Sequence, residues 1–323
     1  MGTELAIRTE HLTKIYRQRL IAVNDMKLEV PRGSVFGLLG PNGAGKTTTL
    51  RLLLGLQHPT AGHAEVFGRS CGPNAVGVRS QIGYLPTNPK FPGNLRPIEY
   101  LDLLGKLSRL PPQVRRPRIS ALLRSVGLLG ATDQRIETFS TGMCTRLGIA
   151  ASLIADPPLL LWDEPTAGLD PSARRFTLDL IRELGKDKTI VVATHILSDI
   201  DQICDHLGVM HEGRMIFAGS MRDMKQRLRR DDFSLDVEGD DEDIRRLARD
   251  LADLEGIDVR LGAGQELLVQ IAEDRSRSGM LAEVLKLVDA SGLALQAIHS
   301  GQNATENAYL QLLQEDEARG FSR

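Results

Sequence analysis

SVFGLLGPNGAGKTTTLRLLLGL, residues 34–56, divides into a short apolar run, a glycine-rich turn and an amphipathic helical pattern. Val35–Leu39 reads as a buried strand. The turn fits G-x-x-x-x-G-K-[ST] as Gly40, Pro41, Asn42, Gly43, Ala44, Gly45, Lys46 and Thr47. Glycines without side chains let successive backbone N–H groups curl around phosphate oxygens, and the helix N-terminus adds its partial positive charge. Lys46 is placed to reach β- and γ-phosphates and the hydroxyl of Thr47 to ligate Mg2+, with Thr48 among the nucleotide-binding residues. An ordinary glycine-rich turn is the alternative. The strand before it and the helix after it favour a nucleotide site.

A phosphate loop of this kind needs an acidic strand to complete its metal site, and LLLWDEP (residues 159–165) supplies one. Four apolar residues suit a strand buried on both faces and end in Asp163, placed to hold Mg2+ through water. Glu164 follows directly, where a carboxylate can polarise an attacking water.

The chain of 323 residues is 41% hydrophobic and 25% charged, as in a soluble globular protein of about two domains. No apolar run approaches the roughly 18 residues that span a bilayer, and the N-terminal stretch has no signal-peptide core. Cys71, Cys144 and Cys204 lack metal-ligand spacing and read as reduced thiols of a cytosolic protein. The net charge of −2 conceals +10 over residues 1–230 and −12 over residues 231–323. That reversal predicts a boundary: a first domain at 1–222, a basic linker at 223–231 and a second domain at 232–323. A basic first part suits phosphate ligands, an anionic membrane surface or nucleic acid.

With these motifs in order, residues 4 to about 220 resemble the nucleotide-binding subunit of ATP-binding-cassette (ABC) transporters, of the drug-, antibiotic- and polysaccharide-export type. The resemblance implies an α/β fold: a P-loop NTPase core with a mostly parallel sheet, N-terminal antiparallel strands and an inserted helical subdomain at about 88–155. It places Tyr16, in LTKIYRQ, where an aromatic ring stacks on adenine. It makes STGM, with Ser140 and Gly142, the counterpart of the family signature, usually LSGGQ. Asp170, in LLLWDEPTAGLDP, would face a partner cassette, and His195, in VVATHILSDID, would sense the γ-phosphate. ATP and Mg2+ are the implied ligands, with Lys46, Glu164 and His195 carrying hydrolysis.

Two positions depart from the family pattern. After IGYLP the usual glutamine is replaced by Thr87, whose hydroxyl reaches less far than an amide, so it is a poor candidate for direct metal contact. In the signature, Thr141 replaces a glycine, at some cost in backbone freedom. Met143, Leu147, Ala150 and Ile154 recur at helical spacing, so a plain Ser-capped core helix is the competing reading.

One phosphate loop and one signature per chain imply a head-to-tail pair, either a homodimer or a heterodimer with a related cassette, enclosing ATP between copies. The resemblance further implies a separate transmembrane permease, a cytoplasmic position on the inner face of the cell membrane, and no need of nucleic acid. Three alternatives remain at this point. One is a soluble mechanochemical cassette acting on nucleic acid or ribosomes. Another is a phosphate-loop kinase, which would need no signature or switch histidine. The third is a weakly hydrolysing regulatory cassette, suggested by Thr87 and Thr141. Residues from 232 onward read as strand, helix, two strands, helix and strand, a small ferredoxin-like α+β unit, followed by a helix in ATENAYLQLLQ. They carry no catalytic constellation, and His299 stands alone.

Overall fold

The computed structural model describes residues 4–16, 20–72, 75–227, 233–262, 265–272, 277–300 and 304–318. They fall into two compact units, Met1–Met221 with Leu312–Arg323, and Arg222–Gln311. The expected second domain at 232–323 therefore needs correction at its far end. Leu312 and Asp316 are buried, and Asp316 is hydrogen-bonded to His211 and Arg214, which ties the last segment to the first unit. The expected linker at 223–231 begins as helix, since α8 covers Met221–Arg227. The rest of it lies outside the described residues.

The first unit is built on a six-stranded sheet. Its strands are β3 (Val35–Leu39), β6 (Ile82–Leu85), β7 (Leu159–Asp163), β8 (Thr189–Thr194), β9 (His206–His211) and β10 (Arg214–Ser220), in the order β10-β9-β3-β8-β7-β6. All neighbours are parallel except β10, which returns antiparallel to β9. Every residue of β3, β7 and β8 is buried, as expected of strands covered on both faces. Strand alternation splits LLLWD cleanly: Leu159 and Leu161 join one core, and Leu160 and Trp162 the other.

The first core lies between this sheet and a four-stranded antiparallel one, ordered β2-β1-β4-β5. Its strands are β1 (Leu5–Tyr16), β2 (Leu20–Pro31), β4 (Ala61–Val66) and β5 (Arg69–Ser70). Helix α1 (Lys46–Leu53) fills the gap, with Leu50 and Leu53 packed among Ile7, Val23, Leu38 and Val191. Each such fully buried side chain contributes about 1.5–3 kcal/mol. The short helix α2 (Val76–Arg79) precedes β6. On the opposite face stand α3 (Pro97–Leu107), α4 (Pro112–Ser125), α5 (Thr141–Leu153), α6 (Pro171–Leu184) and α7 (Leu197–Ile203). Leu147 and Ala150 are buried and Met143 half-buried, so the predicted apolar face of α5 does meet the core. Trp162 is fully buried there, and its indole N–H donates to Ser152 Oγ of α5 at 3.2 Å.

The second unit contains β11 (Phe233–Glu238), α9 (Asp241–Ala252), β12 (Ile257–Leu261), β13 (Glu266–Ile271), α10 (Arg277–Ser291) and β14 (Ala294–Ser300). Its sheet order is β12-β13-β11-β14, with every neighbouring pair antiparallel. Ile244, Leu247 and Leu251 form one buried stripe on α9 and pack with Leu235, Val237 and Val284. Asp241, Glu242 and Asp243 occupy its first turn, where negative charge suits the helix dipole. The final helix α11 covers Ala304–Ala318.

Candidate functional site

The loop 40–45 leaves the carboxyl end of β3 and enters α1. Gly43 and Gly45 have φ of 85° and 106°, a left-handed backbone that glycine alone adopts without strain. Gly40 is glycine for a different reason: a Cβ there would lie 2.3 Å from the carbonyl oxygen of Met210. The Lys46 ammonium is buried beneath this loop. It donates to the carbonyls of Gly40 at 2.6 Å and Pro41 at 3.2 Å, and lies 3.4 Å from Glu164 Oε1. Burial lowers the Lys46 pKa from its ordinary value, with Glu164 and then Asp163 opposing the shift.

The ends of β7 and β8 flank the same edge, with Leu39 opposite Thr194 and Asp163 opposite Ala193. That register brings Asp163, Glu164 and His195 beside the loop, as the strand-end reading requires. Asp163 Oδ2 accepts from Thr47 Oγ1 at 2.8 Å, while its buried Oδ1 has no hydrogen-bond partner. Burial raises the carboxyl pKa, and the hydroxyls of Thr47 and Thr87 pull it back. A hydroxyl, a carboxylate and one buried oxygen without a partner are a donor set that fits a hard divalent cation. The Thr87 hydroxyl itself donates to the Asp163 backbone carbonyl at 3.4 Å.

Glu164 has a φ of 53°, uncommon for a residue with a side chain, and a strain of about 1–2 kcal/mol. Its backbone N–H donates to Ala193 O at 2.8 Å, which fixes the turn. Glu164 Oε2 accepts from Thr194 Oγ1 at 3.2 Å and lies 2.9 Å from His195 Nδ1. Lys46, Thr47, Thr87, Asp163, Glu164 and His195 thus converge on one sheet edge.

Ser140, Gly142 and Asp170 form a second group. Ser140 caps α5, its Oγ accepting from Met143 N at 3.3 Å, and Asp170 caps α6 by accepting from Ala173 N at 2.9 Å. A Cβ on Gly142 would meet Ala173 and Leu169 no closer than 3.9 Å, and its φ lies outside the left-handed range. Nothing described within the chain requires glycine at that position. Thr141 opens α5 in ordinary backbone, so the expected cost of replacing glycine there does not arise. Tyr16 ends β1, its hydroxyl donating to Gln57 Oε1 and Lys14 Nζ standing 5.2 Å from the ring centroid.

The family description "ABC transporter" matches residues 23–167. The bacitracin transport ATP-binding protein BcrA of Bacillus licheniformis is 39% identical over 226 residues, spanning 69% of this chain and 72% of that one. The chain belongs to the ABC transporter family. It is an ATP-binding cassette subunit and an ATPase. The cassette is also 40% identical over 205 residues, 63% of each chain, to the Nod factor export ATP-binding protein I of Cupriavidus pinatubonensis. A solved ATP-binding subunit of an ABC transporter superposes with a TM-score of 0.64 at 30% identity, covering 69% of this chain and 92% of that one.

Sequence reasoning missed one set of residues that braces the cassette's site. Asp199 is 1% exposed; it accepts from Arg174 Nε at 2.8 Å and from the Thr166 hydroxyl. Arg174 also donates to Ser198 Oγ at 2.8 Å. The loop before α6 is thereby tied to the segment that follows His195. A signal was present: Ile196, Asp199, Ile200 and Ile203 share one helical face, which puts a carboxylate among apolar residues.

Proposed function

We propose that this cassette binds ATP with Mg2+, hydrolyses it, and powers a separate export-type membrane permease through ATP-driven pairing of two copies. The convergence of Lys46, Thr47, Asp163, Glu164 and His195 carries the hydrolytic part. No helix among the described residues is long and apolar enough to cross a membrane, so a transport role calls for another chain. The names of the relatives, one in bacitracin transport and one in Nod factor export, support the transporter subtype.

The roles follow from the donor inventory. Lys46 exchanges the carbonyls of Gly40 and Pro41 for phosphate oxygens, while the amides of residues 42–48 cradle the rest. Thr47 and Asp163 hold Mg2+, which when bound neutralises charge on the β- and γ-phosphates. Thr87 orients Asp163 through its backbone carbonyl. Glu164 accepts a proton from the water that attacks the γ-phosphorus, and the bond to the bridging oxygen breaks to leave ADP. His195, held through Nδ1 by Glu164, directs Nε2 to the γ-phosphate. Tyr16 stacks on adenine.

Gly142 supports the pairing. A glycine with ordinary φ, where a side chain would meet its neighbours only at ordinary van der Waals distance, fits a surface where a ligand's phosphate must approach the backbone closely. Ser140 and Gly142 of one copy then cap ATP held by the other, with Asp170 at the seam. Size-exclusion chromatography with Mg-ATP tests this. Glu164→Gln is expected to elute as a dimer with ATP and as a monomer without it, and adding Ser140→Ala should lower the dimer fraction several-fold. An unchanged dimer fraction would refute the cap. Affinity capture of the full chain from native membranes should bring down a polytopic permease.

A further inference from the structure

The wall behind the phosphate loop is the β9–β10 hairpin. The carbonyl of Met210 sets the limit on Gly40, and the Met210 methyl would lie 3.1 Å from a Cβ on Gly45. At the hairpin turn, Glu212 and Gly213 have φ of 47° and 82°, the left-handed pair that a two-residue turn requires. The Gly213 N–H donates to the carbonyl of Ala44, inside the phosphate loop, at 3.0 Å. Its carbonyl accepts from Asn24 N at 2.7 Å, so the turn bridges the loop and β2.

The residues on either side of this turn, His211 and Arg214, pair across the hairpin. Both reach one carboxylate. His211 Nδ1 lies 2.8 Å from Asp316 Oδ2, and Arg214 Nη2 lies 2.8 Å from each Asp316 oxygen. The Asp316 side chain is 6% exposed and the three side chains belong to the same compact unit. A carboxylate this buried is held by charge-assisted hydrogen bonds whose directions are fixed, and removing it leaves a guanidinium half-buried without that acceptor.

We propose that Asp316 is a positioning residue for nucleotide binding. By clamping His211 and Arg214 it holds the 212–213 turn, and through the Gly213–Ala44 hydrogen bond it sets the shape of the phosphate loop. The end of the chain thereby tunes ATP affinity without touching ATP. The hydrolytic step is left alone, because Glu164 and His195 directly follow β7 and β8, which lie on the other side of β3 from the hairpin.

The test uses the full chain with Asp316→Ala, Asp316→Asn and Arg214→Lys. Steady-state ATPase kinetics separate KM from kcat, and amide hydrogen exchange reads the loop directly. Asp316→Ala is expected to raise the KM for ATP about 3–10-fold with kcat within about two-fold of the parent. Exchange should quicken in peptides covering 40–47 and 210–215. Asp316→Asn and Arg214→Lys, which keep most of the volume, should shift KM the same way by less, and they carry the test where the alanine variant does not fold. Faster exchange confined to 304–318 with an unchanged KM would mean that Asp316 only anchors its own helix, and would overturn the proposal. A fall in kcat at constant KM would overturn it equally.

Discussion

Replacing Glu164 by glutamine should separate two effects that one carboxylate combines. Glu164 Oε1 lies 3.4 Å from Lys46 Nζ, with the two side chains 10% and 6% exposed. Unit charges at that distance attract by about 5 kcal/mol at an effective dielectric near 20. Desolvation of both groups offsets most of this. Glutamine keeps the shape and the acceptor oxygen, and the loss from a charged to a neutral hydrogen bond is about 1–2 kcal/mol. ATP must draw Lys46 away from this contact, so Glu164→Gln is expected to bind ATP about 5–30-fold more tightly. Turnover should fall by about 10²–10⁴, the usual contribution of a general base. Equilibrium dialysis with Mg-ATP measures the first quantity and phosphate release the second. Weaker ATP binding would show that Glu164 does not compete for Lys46, and unimpaired steady-state hydrolysis would remove its role as base.

Two further outcomes follow from the buried titratable groups. The raised Asp163 pKa means that the fold disfavours its ionised form: the stabilising contribution is complete below about pH 4 and is lost as pH rises through the raised value. Without nucleotide at pH 7.5, Asp163→Asn should therefore melt no lower than the parent, while losing its stabilisation by Mg-ATP. A lower melting temperature without nucleotide would contradict the burial argument. Burial and the Glu65 carboxylate push the Cys71 thiol up to about 12, and burial pushes Cys204 and Cys144 upward too. Cys71 is buried and Cys144 and Cys204 are partly exposed, so maleimide should spare Cys71 and label the other two, slowly at pH 7 and faster as pH rises, with ATPase activity declining as Cys144 reacts because it lies one turn into α5. Rapid labelling of Cys71 would argue against its burial.

Local patterns carried much of this protein in its sequence. The glycine loop was legible because each glycine meets a distinct backbone demand within eight residues, and LLLWD because a strand covered on both faces needs an unbroken apolar run. The position of His195 beside Glu164 followed from parallel strands ending at one edge. Contacts made by single polar residues across long stretches of chain left no such trace. Asp316 meets His211 and Arg214 about a hundred residues away, and a carboxylate in QLLQEDEA looks like any solvated helix charge. The same holds for Arg174 and Asp199. A glycine in a family pattern suggests backbone strain, whereas Thr141 takes ordinary helical geometry.

Trp162 is the only tryptophan in the chain, and it stands one residue before Asp163. Its ring is sealed from solvent, and its N–H reaches Ser152 on the helix that begins at Ser140. The cassette therefore carries an intrinsic optical probe at the joint between the strand bearing its acidic pair and the helix bearing its cap. Emission from that single indole would report any change in packing between the two elements, with no dye attached and no surface altered.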